Sequence, residues 1–175
     1  MILIGIGANL MHPYYGPPRA TCEAALSAFN DSEIRVRRRS RWYRSAPVPA
    51  SDQPWFVNGV AILETEFDPA DVLRVLHRIE VDFGRVRERR DEARVLDLDL
   101  LAYGARISEP GTVPILPHPR LTERAFVLKP LAELVPDWRH PVTGMHVQDL
   151  LRALPADQTA EAMDEDARSR SARNS

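Results

Sequence analysis

At the N-terminus Ile2, Ile4 and Ile6 alternate with Leu3, Gly5 and Gly7, the period-2 pattern of a strand over residues 1–7. The glycines clear the second face of that strand for close approach. Residues 9–18 hold three prolines and Gly16 and read as a loop. Over residues 19–29, Cys22, Ala25, Leu26 and Phe29 recur at helical spacing. A second strand is expected over residues 34–45, where Val36 is the only aliphatic side chain between Ile34 and Trp42. Its arginines, Arg35, Arg37, Arg38, Arg39 and Arg41, suit a solvated face or an edge that resists aggregation. The run APVPASDQPWF, with three prolines, is a stiff loop before a third strand over residues 57–65. Asp68-Pro69 then supplies the N-cap and first-turn proline of a second helix. Its buried stripe is Val72, Leu73, Leu76, Ile79 and Phe83, and Gly84 ends it.

The arginine-rich GRVRERRDEAR follows as an exposed loop, and RVLDLDLL, residues 94–101, reads as a further strand. Residues 104–119 are rich in proline and glycine and leave room for one short edge strand, with short helices near 120–135 and 146–154. From Pro155 apolar periodicity ends, so the expected organisation is one domain over 1–154 and a disordered tail over 155–175. Strand, helix, strand, strand, helix, strand is the order of a ferredoxin-like α+β sandwich. Its helices are expected on one face of an antiparallel sheet, with C-terminal additions, leaving the other face for a ligand.

RVLDLDLL raises a physical problem. Leu96, Leu98 and Leu100 face one way, so Asp97 and Asp99 share the opposite face. Two like charges about 7 Å apart repel by about 2 kcal/mol at an effective dielectric near 20. A divalent cation would remove that repulsion, and Mg²⁺ is commonly held by one or two carboxylates with water and phosphate completing its shell. A solvated strand face is the alternative. Arg85, Arg87, Arg89, Arg90 and Arg94 immediately precede the pair, and planar guanidinium forks suit phosphate oxygens. Together the two features favour phosphate binding.

Composition narrows the chemistry. With 175 residues, 44% hydrophobic and 27% charged, the chain is an ordinary globular domain. A net charge of −2 provides no bulk attraction to nucleic acid or membrane. Cys22 is the only cysteine, which excludes an internal disulfide or a cysteine-rich zinc site. No run approaches the roughly 20 apolar residues of a membrane span. The start of the chain lacks the features of a secretion signal, so a cytoplasmic location is expected. Lys129 is the only lysine and lies far from any glycine loop, which rules out a Walker A site; GIGAN likewise fails to complete GxGxxG.

Other candidates are more ambiguous. His118 and Arg124 in PHPRLTERAF could both reach a phosphate chain, although a lone histidine after proline is commonly structural. His77 and Glu80 share a helix face and read first as a surface pair, then as a loop anchor. Trp55, Phe56 and Asn58 stand where the proline loop meets the third strand. A planar heterocycle needs an aromatic face to stack on and a carboxamide for its edge. Phe126 could provide a second face; core anchoring is the alternative for these aromatics.

In combination, IGANL, YRSAP, DQPWFVN, RIEVDFGRVR, RVLDLDLL and PHPRLTERAFVLKPLAELVP resemble the 6-hydroxymethyl-7,8-dihydropterin pyrophosphokinases, in order, from Met1 to about Leu154. The resemblance implies a ferredoxin-like core and transfer of the β,γ-pyrophosphoryl group of ATP to the pterin hydroxymethyl oxygen, releasing AMP. It implies that Asp97 and Asp99 hold two Mg²⁺ ions, and that Arg85 and Arg94 act with them in catalysis. Arg87, Leu100, His118 and Arg124 are implied as ATP contacts. Ser45, Ala46, Val48, Phe56, Asn58 and Phe126 are implied to form the pterin pocket, with the two phenylalanines sandwiching the ring. The partners implied are small molecules, and the expected state is a monomer.

The chain departs from the family pattern in three places. Asp91-Glu92-Ala93 replaces a common tryptophan-glycine-proline run, Ala46 a common proline, and Pro119 a common tyrosine. A different two-metal nucleotide enzyme, a nucleotidyl transferase or cyclase, would instead release pyrophosphate. An RNA-binding sheet stacks bases on strand aromatics, whereas the candidate strand here carries aspartates.

Overall fold

The structure, a computed structural model, describes residues 1–85 and 93–164. The chain runs β1 (Ile2–Ala8), α1 (Pro18–Ala28), β2 (Arg35–Arg39), β3 (Tyr43–Ser45), β4 (Phe56–Glu64), α2 (Pro69–Asp82) and β5 (Asp97–Tyr103). It continues through α3 (Ala125–Leu134), α4 (Val147–Ala153) and β6 (Ala160–Ala162). The strand order is β5-β1-β4-β3-β6, with β2 also pairing β4, and every pairing is antiparallel. This is the expected α+β architecture.

As expected, α1 and α2 share one face of the sheet; the C-terminal additions α3 and α4 lie on the other, which the expectation left to a ligand. Ile2, Ile4 and Ile6 pack with Cys22, Ala25 and Phe29 of the α1 region and with Val72, Leu76 and Ile79 of α2. Leu3, Val60 and Leu101, on the opposite face, pack with Val127, Leu128 and Leu131 of α3 and with Val147 and Leu150 of α4. Both faces are therefore covered. The all-round hydrophobicity of FVLKPLAEL matches a helix wedged between the sheet and α4.

The single strand expected over 34–45 is two. Arg39 opposes Ala61 and Tyr43 opposes Asn58, so three residues on one side face two on the other. At this bulge Ser40 Oγ accepts from Val60 N–H (3.1 Å), a side-chain oxygen replacing a ladder carbonyl. The buried Trp42 ring lies over Gly59, where an added Cβ would come within 2.8 Å of the indole. Glu133 of α3 pins the far side: it accepts from Arg41 N–H (2.9 Å) and from Tyr43 Oη–H (2.7 Å). Burial, then the bond to Glu133, pushes the Tyr43 hydroxyl up to about 12.

Asp68 caps α2 by accepting from Asp71 N–H (2.8 Å), and Gly84 closes it at φ +76°, as expected. Residues 104–119 contain no strand. The expected disorder does not begin at Pro155. Residues 160–162 add a short strand to the open edge of β3, where backbone pairing substitutes for an apolar pattern. Residues 165–175 lie outside the described residues. Among the described residues no helix is long and apolar enough to cross a membrane.

Candidate active site

Register across the sheet assembles the centre. Asp97 on β5 is opposite Gly7 on β1, which is opposite Asn58 on β4, so three strands present one row. Asp99 is opposite Gly5 in the next row of that face. The glycines behave differently from each other. A Cβ on Gly5 would meet only the Leu101 side chain at ordinary contact distance. A Cβ on Gly7 would come within 2.9 Å of Asn58 Oδ1, so the bare backbone is what leaves room for this carboxamide over β1. Asn58 is buried, and its Nδ2 donates to Ser45 Oγ (2.8 Å).

Arginines meet the aspartates directly. Asp97 Oδ1 pairs with Arg85 and Oδ2 with Arg94, both at 2.5 Å. Burial alone would raise this carboxyl, but the Arg94 and Arg85 charges outweigh it and hold Asp97 below the usual carboxylate range. Asp99 has a more distant partner, Arg124 at 3.8 Å, and burial followed by the Asp97 charge raises it. Burial lowers His118, against the opposing pull of Asp99. Nδ1 of His118 accepts from Arg120 N–H (3.2 Å), which leaves Nε2 as the proton-bearing nitrogen of the neutral ring.

Behind Arg85 stands Glu80, expected on the helix surface but 1% exposed. It accepts from the edge N–H of Leu98 (2.7 Å) and pairs with Arg85. Burial of this carboxylate has a clear reason: it joins α2, Arg85 and β5. Asn9 is a second buried anchor. Its Oδ1 accepts from Arg94 N–H (2.7 Å) and its Nδ2 donates to Pro54 C=O (3.0 Å), tying β1 to the proline loop and to Arg94.

Beside the acidic row opens a cleft. Ala46, Val48, Phe56, Asn58 and Phe126 line it together with Arg94, Asp97 and Arg124. The Arg124 guanidinium lies over the Phe126 ring, 5.4 Å from its centroid. One wall is apolar and aromatic, one edge offers a carboxamide, and one end is charged.

Most sequence candidates thus converge, with some exceptions. Leu100 is buried among Ile4 and the helices, because period-2 alternation turns it away from the aspartates. Trp55 is exposed and covered by Arg44, 4.7 Å from the ring centroid, outside the cleft lining. Ser45 supports Asn58 instead of lining the cleft. Arg87 falls outside the described residues, as do Arg89 and Arg90. Gly7, Asn9, Pro47, Pro49 and Glu80 were not singled out as site residues. The IGANL and RIEV motifs contain three of them, but the signal for Asn9 and Glu80 is burial, which periodicity does not reveal.

Comparisons with known proteins bear on the family. The family model for 7,8-dihydro-6-hydroxymethylpterin-pyrophosphokinase matches residues 3–136. A 2-amino-4-hydroxy-6-hydroxymethyldihydropteridine pyrophosphokinase of Pseudomonas aeruginosa is 43% identical over 155 residues, covering 88% of this chain and 91% of the relative. The protein of the same name from Methylorubrum extorquens is 50% identical over 136 residues, covering 77% and 82%. In fold, the chain is similar to a crystal structure of wild-type Plasmodium falciparum HPPK-DHPS with pteroate, with a TM-score of 0.62 at 12% identity. That match covers 86% of this chain and 43% of the Plasmodium chain, so it bears on architecture alone.

Proposed function

The chain belongs to the 7,8-dihydro-6-hydroxymethylpterin-pyrophosphokinase family and is a pyrophosphokinase of folate biosynthesis; we propose that the cleft between Phe56, Phe126 and the aspartate strand carries out its reaction. The single observation that carries this assignment is the row Asp97–Gly7–Asn58, which puts a carboxamide for a heterocycle edge beside a carboxylate–arginine cluster for a phosphate chain. The pterin lies between the two phenylalanines, and Asn58, oriented by Ser45, pairs with its edge. The ATP triphosphate lies along Asp97 and Asp99, contacted by Arg85, Arg94, Arg124 and His118. The hydroxymethyl oxygen attacks the β-phosphorus, the bond from that phosphorus to the α-phosphate's bridging oxygen breaks, and AMP leaves. The hydroxyl proton is released, and the β,γ-pyrophosphoryl group ends on the pterin oxygen.

Asp97 and Asp99 are a donor set that fits Mg²⁺, which takes few protein carboxylates and completes its shell with water and phosphate. Among the described residues no third histidine, cysteine or carboxylate joins them. When bound, two such ions would neutralise the triphosphate and lower the pKa of the attacking hydroxyl. The protein's own contribution is placement and fixed positive charge, on which this class of transfer depends. Arg85 and Arg94, paired with Asp97 here, meet competing anions in the triphosphate oxygens. No side-chain nucleophile is required. The chain acts as a monomer in the cytoplasm, on small molecules only.

Incubation with ATP, Mg²⁺ and 6-hydroxymethyl-7,8-dihydropterin tests this assignment. AMP is expected only when the pterin is present; pyrophosphate release in its place would point to a nucleotidyl transferase or cyclase. A Gly7→Ala variant probes the row itself. Its Cβ displaces the Asn58 carboxamide, so KM for the pterin should rise about tenfold or more, the loss of a buried hydrogen-bonding group. An unchanged pterin KM would show that Asn58 does not read the ring edge.

A further inference from the structure

We propose that Gln158, beyond the residues matched by the family model, is a positioning residue that sets the Phe126 and Arg124 wall of the cleft. The proposal rests on the assignment of that cleft to the pterin.

The first N–H groups of a helix have no partners within it. At the start of α3 the N-cap is Arg124, whose side chain makes no capping bond, because a guanidinium has no acceptor. The acceptor comes from 33 residues further along the chain. Gln158 Oε1 accepts from Ala125 N–H (2.8 Å), and Gln158 Nε2 donates to Glu123 C=O (2.8 Å). One carboxamide thus brackets Arg124 on both sides. It fixes the backbone from which the guanidinium reaches Asp99 and from which the Phe126 ring enters the cleft.

The same segment holds the opposite wall. Ala160 pairs with Ser45, the residue that orients Asn58, and Ala162 with Tyr43. Lys129 Nζ of α3 donates to Ala160 C=O (2.7 Å), and Met163 N–H donates to Trp42 C=O (2.8 Å). Residues 158–163 therefore bridge β3, on the carboxamide side of the cleft, and α3, on the aromatic side. Core packing of α3 against the sheet holds the helix in place, but among the described residues Gln158 alone ties both Glu123 and Ala125, so the orientation of the first turn depends on it.

Full-length Gln158→Ala and Gln158→Glu variants separate positioning from general stability. Gln158→Ala should raise KM for the pterin about 3- to 10-fold with kcat within about 2-fold, the scale of one lost hydrogen bond expressed in binding. Gln158→Glu keeps the acceptor for Ala125 N–H but sets a carboxylate oxygen against Glu123 C=O, so its KM should fall between those of the unaltered chain and Gln158→Ala. Amide exchange at Ala125, read without substrate, should accelerate about 10-fold in Gln158→Ala and not in Gln158→Glu. An unchanged pterin KM in Gln158→Ala, or a Glu variant as impaired as the Ala variant, would overturn the proposal. If the unaltered protein binds no pterin while exchange at Ala125 responds as stated, the assignment of the cleft falls and the bridging role of Gln158 stands.

Discussion

Asp97→Asn should lower turnover by about 100- to 1,000-fold, the scale of losing one preorganised charged group around a reacting centre, and the domain should stay folded. Asparagine preserves shape and can still accept from one guanidinium, so the wall formed with Gly7 and Asn58 is retained. What disappears is the charge that two arginines hold below the usual carboxylate range and that Mg²⁺ would share. The checks are steady-state AMP release and nucleotide binding with and without Mg²⁺. Loss of the Mg²⁺-dependent part of ATP binding is expected, with pterin affinity retained. Turnover close to that of the unaltered chain would remove the carboxylate from the reaction.

Arg85→Ala should have two separable effects. Arg85 is half of a buried pair whose other half, Glu80, is 1% exposed. Removing it takes a countercharge from a buried carboxylate that also accepts from Leu98 N–H, a change that costs about 3–5 kcal/mol in comparable buried pairs. It also removes a positive charge from the phosphate end of the cleft, so kcat should fall more than ATP affinity does, because the contact counts most in the transition state. The double variant Glu80→Gln/Arg85→Ala distinguishes the two roles. Neutralising Glu80 should recover most of the lost stability in urea unfolding, while turnover stays as low as in Arg85→Ala. Recovery of turnover along with stability would make Arg85 a structural residue only.

How far the residues alone carry these conclusions differs from motif to motif. Alternation in RVLDLDLL was enough to put Asp97 and Asp99 on one face and the leucines on the other, because a strand's side chains have a period of two. The same rule, applied consistently, turns the Leu100 side chain away from Asp97 and Asp99. Asp68, Pro69 and Gly84 marked the ends of α2 through local backbone chemistry that needs no tertiary partner. For Glu80 the sequence favours a surface pair over a loop anchor, and the structure has the second: it is buried against Arg85 and Leu98. Its helix position is shared with apolar neighbours, and only the approach of Leu98 and Arg85 makes burial of a charge tolerable. The bulge at Ser40 is likewise not legible in the sequence, since it depends on Gly59 yielding room to the Trp42 ring between β2 and β3.

The chain's residues by themselves determined which segments alternate, where helices begin and end, and which acids and arginines stand close in sequence, because these follow from nearest-neighbour geometry. Tertiary structure decided which strands lie side by side, that α3 and α4 cover the second face, that Asn58 sits over Gly7, and that residues 158–163 join both cleft walls. Those contacts bring together positions tens to more than a hundred residues apart, and their energies come from burial and pairing that exist only once the sheet has closed.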